Sequence, residues 1–410
     1  MRILFLSPRQ CWPTTTGARL REFHLARQLA ERAEVTMLSF ADASMAEGLP
    51  FCREVVTVPP PPRYGVGTLV RGAIGSTPVS ILNYTSKPMR AALRALLDRE
   101  QFDAVQLEGT VMDGYAGMIA SHRDAPAMVY NWHNIETELM HRYAARSRHW
   151  PKRLYARLTA HRLEAVETAM LRSDAAHIVC SEREKAHLLR MVPGAFVETV
   201  NNGVDVRGFT DEALAAAREY HRPVNGGEAP ARRLVFAGSM NYYANVEGAI
   251  HFVRKIWPVI STEFADIQLT LLGSNPAPSV RALDAIERVD VSGTVPDTRP
   301  YYAQAAVAIV PLMTGGGTRL KILEAMAAGV PVVSSSIGAE GLHLAAGEDI
   351  LIADSDEEWC AAIRKLLTDT PFARRMAVRG REHVARHYDW DIAGAALYAT
   401  YEKLLARRSA

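Results

Sequence analysis

Residues 307–335 read VAIVPLMTGGGTRLKILEAMAAGVPVVSS. A short apolar run, Val307 to Pro311, leads through three glycines into strong helix formers, Thr318 to Ala328, and then into a second apolar run, Val330 to Ser335. Continuous apolar strands joined by a helix signal a parallel sheet covered on both faces. Glycine lets backbone approach a ligand closely. A helix start presents unpaired N–H groups and partial positive charge, and so attracts an anion. Thr318 suits the N-cap, Arg319 a bidentate phosphate contact and Lys321 a point charge. Glu324, about two turns further on, can accept hydrogen bonds from ribose hydroxyls. Gly315, Gly316, Gly317, Thr318, Arg319, Lys321 and Glu324 together describe a pocket for a nucleotide diphosphate. The competing reading is a plain loop followed by a surface i,i+3 pair, Lys321–Glu324, of the common weak kind. The segment is not a P-loop, since GxxxxGK[ST] is absent.

Outward from this unit the same rhythm fills the chain. Strands are expected at Ile3–Ser7, Val35–Phe40, Val55–Val58, Phe102–Glu108, Ala127–Trp132, Ala176–Ser181 and Phe196–Val200, then again from Arg233–Gly238, Ile267–Gly273 and Val289–Ser292 to Ile350–Ile352. Helical periodicity separates them, with one long helical region over Ile135–Arg172. Gly65-Val66-Gly67 follows a proline run and reads as neither strand end nor helix start. The strongest cluster of breakers is Asn201 to Pro230, with Asn202-Gly203 and Asn225-Gly226-Gly227. The 410 residues exceed what one core usually holds. The expected fold is α/β: two tandem Rossmann-like doubly wound domains facing a central cleft. Their boundaries are 1–203 and 204–385, followed by a last helix over 386–410.

Composition excludes more than it identifies. Apolar residues make up 48%, charged residues 22%, and the net charge is +2, so no global charge argues for nucleic acid. The four cysteines, Cys11, Cys52, Cys180 and Cys360, are scattered, with neither zinc spacing nor a disulfide framework, as suits a reducing cytosol. No metal or cofactor is expected. The opening run MRILFLSPRQ is too short for the apolar part of a signal peptide and reads as a strand. No apolar stretch approaches the roughly 20 residues that span a bilayer. The expected location is cytoplasmic, or peripheral at the inner face of the membrane.

Several motifs then agree in order and spacing: NNGVD at the junction, FAGSMNYYANVEG opening the second half, LLGSNP, VSGTVPDTRPYYAQAAVAIVPL, and GGGTRLKILEAMAAGVPVVSS followed by IGAEGL. With these the chain closely resembles the retaining GT-B glycosyltransferases often called family 4. The match covers nearly the whole chain and is strongest over 232–345. The resemblance implies two facing Rossmann-like domains, a donor held mainly by the second, an acceptor held mainly by the first, and a last helix, 386–410, crossing back to the first domain. Carried over by position, Glu324 holds the donor ribose, and Arg319 and Lys321 are the phosphate cations of a metal-free site. Val295 lies at the base pocket, Gly238 belongs to the donor site, and the donor sugar leans on the backbone of Gly315 to Gly317. Two departures stand out. Many relatives carry two glutamates seven residues apart, and the first position is Gly316 here. Many also carry a basic pair after the first strand of the second domain, where this chain has Gly238-Ser239-Met240-Asn241. Both place more weight on Arg319 and Lys321.

On the first domain, Gly17 in TTTGAR lets backbone amides approach the donor phosphate or the acceptor. Arg21 is as well explained by structure as by function. His133 ends a strand and can exchange a proton near neutral pH. Glu108 ends another strand, near the point where several relatives place a histidine on the donor sugar. It is either an exposed carboxylate or a group that orients or deprotonates the acceptor hydroxyl. Glu136 reads as a helix cap. The run 142–162, RYAARSRHWPKRLYARLTAHR, is basic and aromatic; it is either a solvated face or a membrane contact for a lipid-linked acceptor. The expected reaction is hexosyl transfer from a nucleotide diphosphate sugar to an acceptor hydroxyl with retention, in polysaccharide or glycolipid synthesis. His133, Glu108, Arg319 and Lys321 are its catalytic candidates. The rivals are a nucleotide-sugar epimerase of similar fold, a non-catalytic binder of sugar nucleotides, and a dinucleotide oxidoreductase. The last lacks its GxGxxG between Ser7 and Gly17.

Overall fold

The computed structural model describes residues 1–41, 49–61, 64–147, 149–220, 232–314 and 320–409. It divides into two compact units, Met1–Asn202 with Trp390–Ala410, and Gly203–Asp389.

The first unit is built on seven parallel strands: β1 Arg2–Ser7, β2 Glu34–Phe40, β3 Glu54–Val58, β4 Ala104–Glu108, β5 Ala127–Asn131, β6 Ala176–Val179 and β7 Val197–Thr199. Their order across the sheet is β3-β2-β1-β4-β5-β6-β7. Ile3 pairs with Val35 on one side and Ala104 on the other. Ile3 to Leu6 and Ala104 to Leu107 are fully buried, as parallel strands covered on both faces must be. The helix Gly17–Ala30 follows β1, with Thr16 as its N-cap and Leu25 and Leu29 buried on the sheet. The last helix, Trp390–Ser409, belongs to this unit. His24 stacks on Trp390 at 4.7 Å, and Gln28 Nε2 donates to Asp391 Oδ1 at 2.9 Å.

The second unit repeats the plan with six parallel strands: β8 Arg232–Ala237, β9 Ile267–Leu272, β10 Val289–Gly293, β11 Val307–Val310, β12 Val332–Ser334 and β13 Leu351–Ile352. Their order is β10-β9-β8-β11-β12-β13. A backbone bond from Val204 N–H to the Tyr388 carbonyl closes the unit at its two ends. In each sheet the order reverses once, between β1 and β4 and between β8 and β11. At such switch points the connections leave in opposite directions and open a crevice at the carboxyl ends of the strands.

Four local readings are corrected. The long helical region is two helices, Glu136–Arg146 and Trp150–Leu171. Pro151 stands in the first turn of the second. Proline has no N–H and clashes with the preceding turn, so a helix restarts there rather than running through. Gly65 is the N-cap of a helix, Val66–Ile74, where no helix start is read from sequence. Packing against the next helix, Val79–Tyr84, overrides the low propensity of its glycines. A helix at Asp211–Tyr220 lies inside the supposed breaker region, and Thr370–His387 forms a further helix.

Candidate active site

In the second unit two glycines follow the ends of β8 and β9, beside the switch point. A Cβ on Gly273 would lie 1.7 Å from the carbonyl oxygen of Gly238, so the ends of β9 and β8 approach as only glycine allows. A Cβ on Gly238 would in turn lie 2.6 Å from Lys321 Nζ and 2.7 Å from Asn245 Nδ2. Lys321 is thus brought to the end of β8. Its Nζ donates to Asn245 Oδ1 at 2.7 Å and sits 4.7 Å from the centre of the Phe236 ring, a cation–π arrangement. Asn245 is held in turn by its Nδ2 bond to the Ser239 carbonyl, 2.9 Å.

Three residues beyond Lys321, on the helix Leu320–Ala327, Glu324 Oε2 accepts from the hydroxyl of buried Tyr302 at 3.4 Å. Burial pushes its carboxyl up to about 7, with Tyr302 and Lys321 opposing. Gly238, Lys321 and Glu324 therefore gather at one end of one sheet. Val295 packs partly buried against the core of the unit. Next to it, at the ends of β9 and β10, lies a cavity of about 340 Å³ lined by Asn275, Arg281, Asp284, Gly293 and Thr294 among others. Gly315, Gly316, Gly317, Thr318 and Arg319 lie outside the described residues.

In the first unit the switch point holds a cluster of charge. Glu108, at the end of β4, is fully buried, not the exposed carboxylate that a strand end suggests. It accepts from Asn131 Nδ2 at 2.8 Å and from Gln106 Nε2. His133 Nε2 stands 3.1 Å from Glu108 Oε2 and 3.3 Å from Glu22 Oε1. Glu22 is also fully buried, and its other oxygen accepts from Ser7 Oγ at 2.7 Å. Burial opposes charge on the imidazole, but Glu108 and Glu22 outweigh it and raise the His133 pKa. The ligand-capable atoms of the three residues lie within 4.8 Å of one another. Two carboxylates and one imidazole thus form a single tight group at the end of the sheet.

Around the cluster, Gly17 opens its helix at an exposed position. Arg21 is structural: buried, it donates to Asn131 Oδ1, the Val200 carbonyl and Asn202 Oδ1 at 2.8–3.0 Å. Glu136 does not cap its own helix. The buried Glu167 accepts from the Glu136 and Thr137 N–H groups at 2.9 and 3.3 Å. Of the basic run, Arg142 pairs with Glu138 at 2.7 Å and Arg162 donates to the Gly72 carbonyl. Lys152, Arg153 and Arg157 are exposed; Arg148 and the Arg146 side chain lie outside the described residues. Sequence reading missed Glu22, Asn245 and Tyr302. Glu22 carries no local signal, being one helix residue among several. Asn245 and Tyr302 lie inside the quoted FAGSMNYYANVEG and VSGTVPDTRPYYAQAAVAIVPL, so a local signal for both was present.

Residues 231–369 match the family model described as glycosyl transferases group 1, and residues 17–207 that of glycosyltransferase family 4. The chain belongs to the group 1 glycosyltransferases of the GT-B fold. Among relatives of this family, a phosphatidyl-myo-inositol mannosyltransferase of Mycolicibacterium smegmatis is 26% identical over 215 residues, 51% of this chain and 52% of that protein. The chain spans about half the length of the curated relatives it matches. Among solved structures, the sucrose-phosphate synthase of Thermosynechococcus elongatus superposes with a TM-score of 0.75 at 20% identity, over 99% of this chain and 100% of that one. The Anabaena protein HepE, in complex with UDP-glucose, gives 0.70 at 16% identity, over 98% of this chain and 100% of that one. Both likenesses are of fold. Among the described residues, no helix of this group 1 glycosyltransferase is long and apolar enough to cross a membrane.

Proposed function

We propose that the chain transfers a hexosyl group from a nucleotide diphosphate sugar to an acceptor hydroxyl, with retention at the anomeric carbon. The observation that carries this reading is Lys321 drawn against Gly238 at the β8–β11 switch point, with Glu324 on the same helix. A cation at the carboxyl ends of parallel strands is where a diphosphate is best stabilised. A carboxylate one turn on supplies acceptors for ribose hydroxyls. Arg319 and the glycines Gly315 to Gly317 complete the donor site in this proposal, with Val295 beside the base. Such a site lowers the barrier by positioning and by stabilising charge on the leaving nucleotide, without a resident metal. The likeness to a protein solved with UDP-glucose supports the donor class. The likeness to a mannosyltransferase acting on phosphatidyl-myo-inositol supports an acceptor in glycolipid or polysaccharide synthesis.

In the first unit His133 faces the acceptor in this reading, with the buried Glu108 behind it. Its outer surface fits a lipid-borne acceptor. Ile74 on Val66–Ile74 and Trp150, Leu154, Tyr155 and Leu158 on Trp150–Leu171 are exposed, Ile74 by 84% and Trp150 by 73%. Lys152, Arg153 and Arg157 stand among them. Apolar and basic residues on one helix suit the surface of an anionic membrane. Cosedimentation with anionic vesicles should fall in a Trp150→Ala, Tyr155→Ala double variant.

The deciding experiment is a thermal-shift panel of nucleotide diphosphates and their sugars, followed by incubation of the stabilising donor alone. Stabilisation by one nucleotide and no change in the donor sugar without acceptor is the expected result. Epimerised donor in the absence of acceptor would replace transfer with epimerisation. Silence from every nucleotide would remove the donor site altogether.

A further inference from the structure

Glu22 has no part in any motif, yet it is the second anchor of His133. Its carboxylate is fully buried. One oxygen is satisfied by Ser7, and the other has no hydrogen bond of its own. That orphan oxygen stands 3.3 Å from His133 Nε2, whose Glu108 contact measures 3.1 Å. Two buried carboxylates around a neutral ring would leave a doubled negative charge with little solvent to screen it, which is unfavourable. A positive ring removes that conflict, because it carries compensating charge as well as the Nε2 proton.

We propose that Glu22 and Glu108 hold His133 as an imidazolium whose Nε2–H is committed to the carboxylates, so that Nδ1–H is the donor the ring offers to a negatively charged substrate oxygen. Glu22 is a positioning residue of this arrangement. Among the described residues Nδ1 has no hydrogen-bond partner, and the side chain keeps 13% exposure. The charged groups facing the ring are few. Arg9 approaches Glu22 Oε1 at 3.9 Å from a half-exposed position. Glu136, on the following helix, is raised by burial, with the charge of His133 and then Arg9 opposing. The Cys11 thiol is pushed up by burial and then by Glu22, so it stays neutral. For Glu22 itself, burial works against the carboxylate but His133, Arg9 and Ser7 prevail and lower its pKa. Behind Glu108, the hydroxyl of Tyr401 on the last helix donates to Gln106 Oε1 at 2.7 Å, and Gln106 donates to Glu108. The C-terminal helix thus buttresses the same ring.

That the donated proton meets a substrate rests on the transferase reading; the protonation state of the ring does not. The test is therefore spectroscopic. Nitrogen NMR of histidine-labelled full-length protein, with the signal assigned by loss in H133Q, reports both the titration midpoint and the tautomer. The expected result is a midpoint above the ordinary histidine value of about 6.5, with the remaining proton on Nε2 once the ring is neutral. E22Q should lower that midpoint by about one pH unit or more, a tenfold weaker hold on the proton. R9Q, on a half-exposed side chain, should move it upward. A midpoint at or below the ordinary value, a neutral ring protonated on Nδ1, or an unmoved midpoint in folded E22Q would each overturn the proposal. The parent and R9Q measurements decide it even if E22Q does not fold.

Discussion

Lys321 and Glu324 show how much a single side chain owes to its surroundings. Lys321 Nζ is fixed by Asn245 and by the face of Phe236, so its charge is aimed before any ligand arrives. Such preorganisation removes the entropy cost that a free lysine would bring to binding. A charge-assisted contact to phosphate contributes about 1.5–3 kcal/mol. Lys321→Ala should therefore weaken nucleotide diphosphate binding roughly ten- to hundredfold, read by calorimetry. Glu324 carries a pH signature. Its folded pKa is raised to about 7, and only the ionised form accepts hydrogen bonds at both oxygens. Nucleotide affinity should rise as pH increases from 6 to 8, and Glu324→Gln should flatten that rise. A parent whose affinity is unchanged across the window would place the ribose elsewhere.

At the scale of elements, helix ends carry the argument. Glu167, on Trp150–Leu171, caps the start of Glu136–Arg146, a long-range replacement for the side-chain cap that Ile135 lacks. Burial raises its pKa to about 7, with its Thr137 contacts opposing. A carboxyl raised on folding stabilises fully below its unfolded value, here 4.5, and loses that contribution as pH rises through about 7. Glu167→Gln keeps an accepting oxygen without the charge. It should unfold with a shallower loss of stability between pH 5 and 8, and exceed the parent at pH 8 by about 1–3 kcal/mol, measured by urea titration. Equal slopes in the two proteins would mean that Glu167 is ionised throughout.

For the whole molecule, the decisive feature is that the chain returns. The last helix completes the unit that the first strand began, through Trp390 on His24, Asp391 on Gln28 and Tyr401 on Gln106. A chain ending at Asp389 keeps every residue of the second unit but uncovers the helix Gly17–Ala30 and the back of β4. It should lose the cooperative unfolding of the first unit, while the thermal shift produced by nucleotide diphosphates on the second unit remains. Loss of both would show that the second unit does not fold alone.

Much of this was legible beforehand. The alternation of apolar strands and periodic helices, read by local rules of period and length, determined two parallel sheets. The spacing of GGGTRLKILEAMAAG singled out Lys321 and Glu324. What remained hidden depends on distance along the chain. Glu22 and Glu108 meet His133 across 111 and 25 residues respectively, and Asn245 meets Lys321 across 76. Pro151 was visible, but its power to split a helix needed no partner and was underused. Strand positions and most helices follow from neighbouring residues along the chain, because period and length are local; the helix Val66–Ile74 is an exception made by packing. Which charges share a site becomes visible when the chain folds, because burial and pairing arise when distant elements pack.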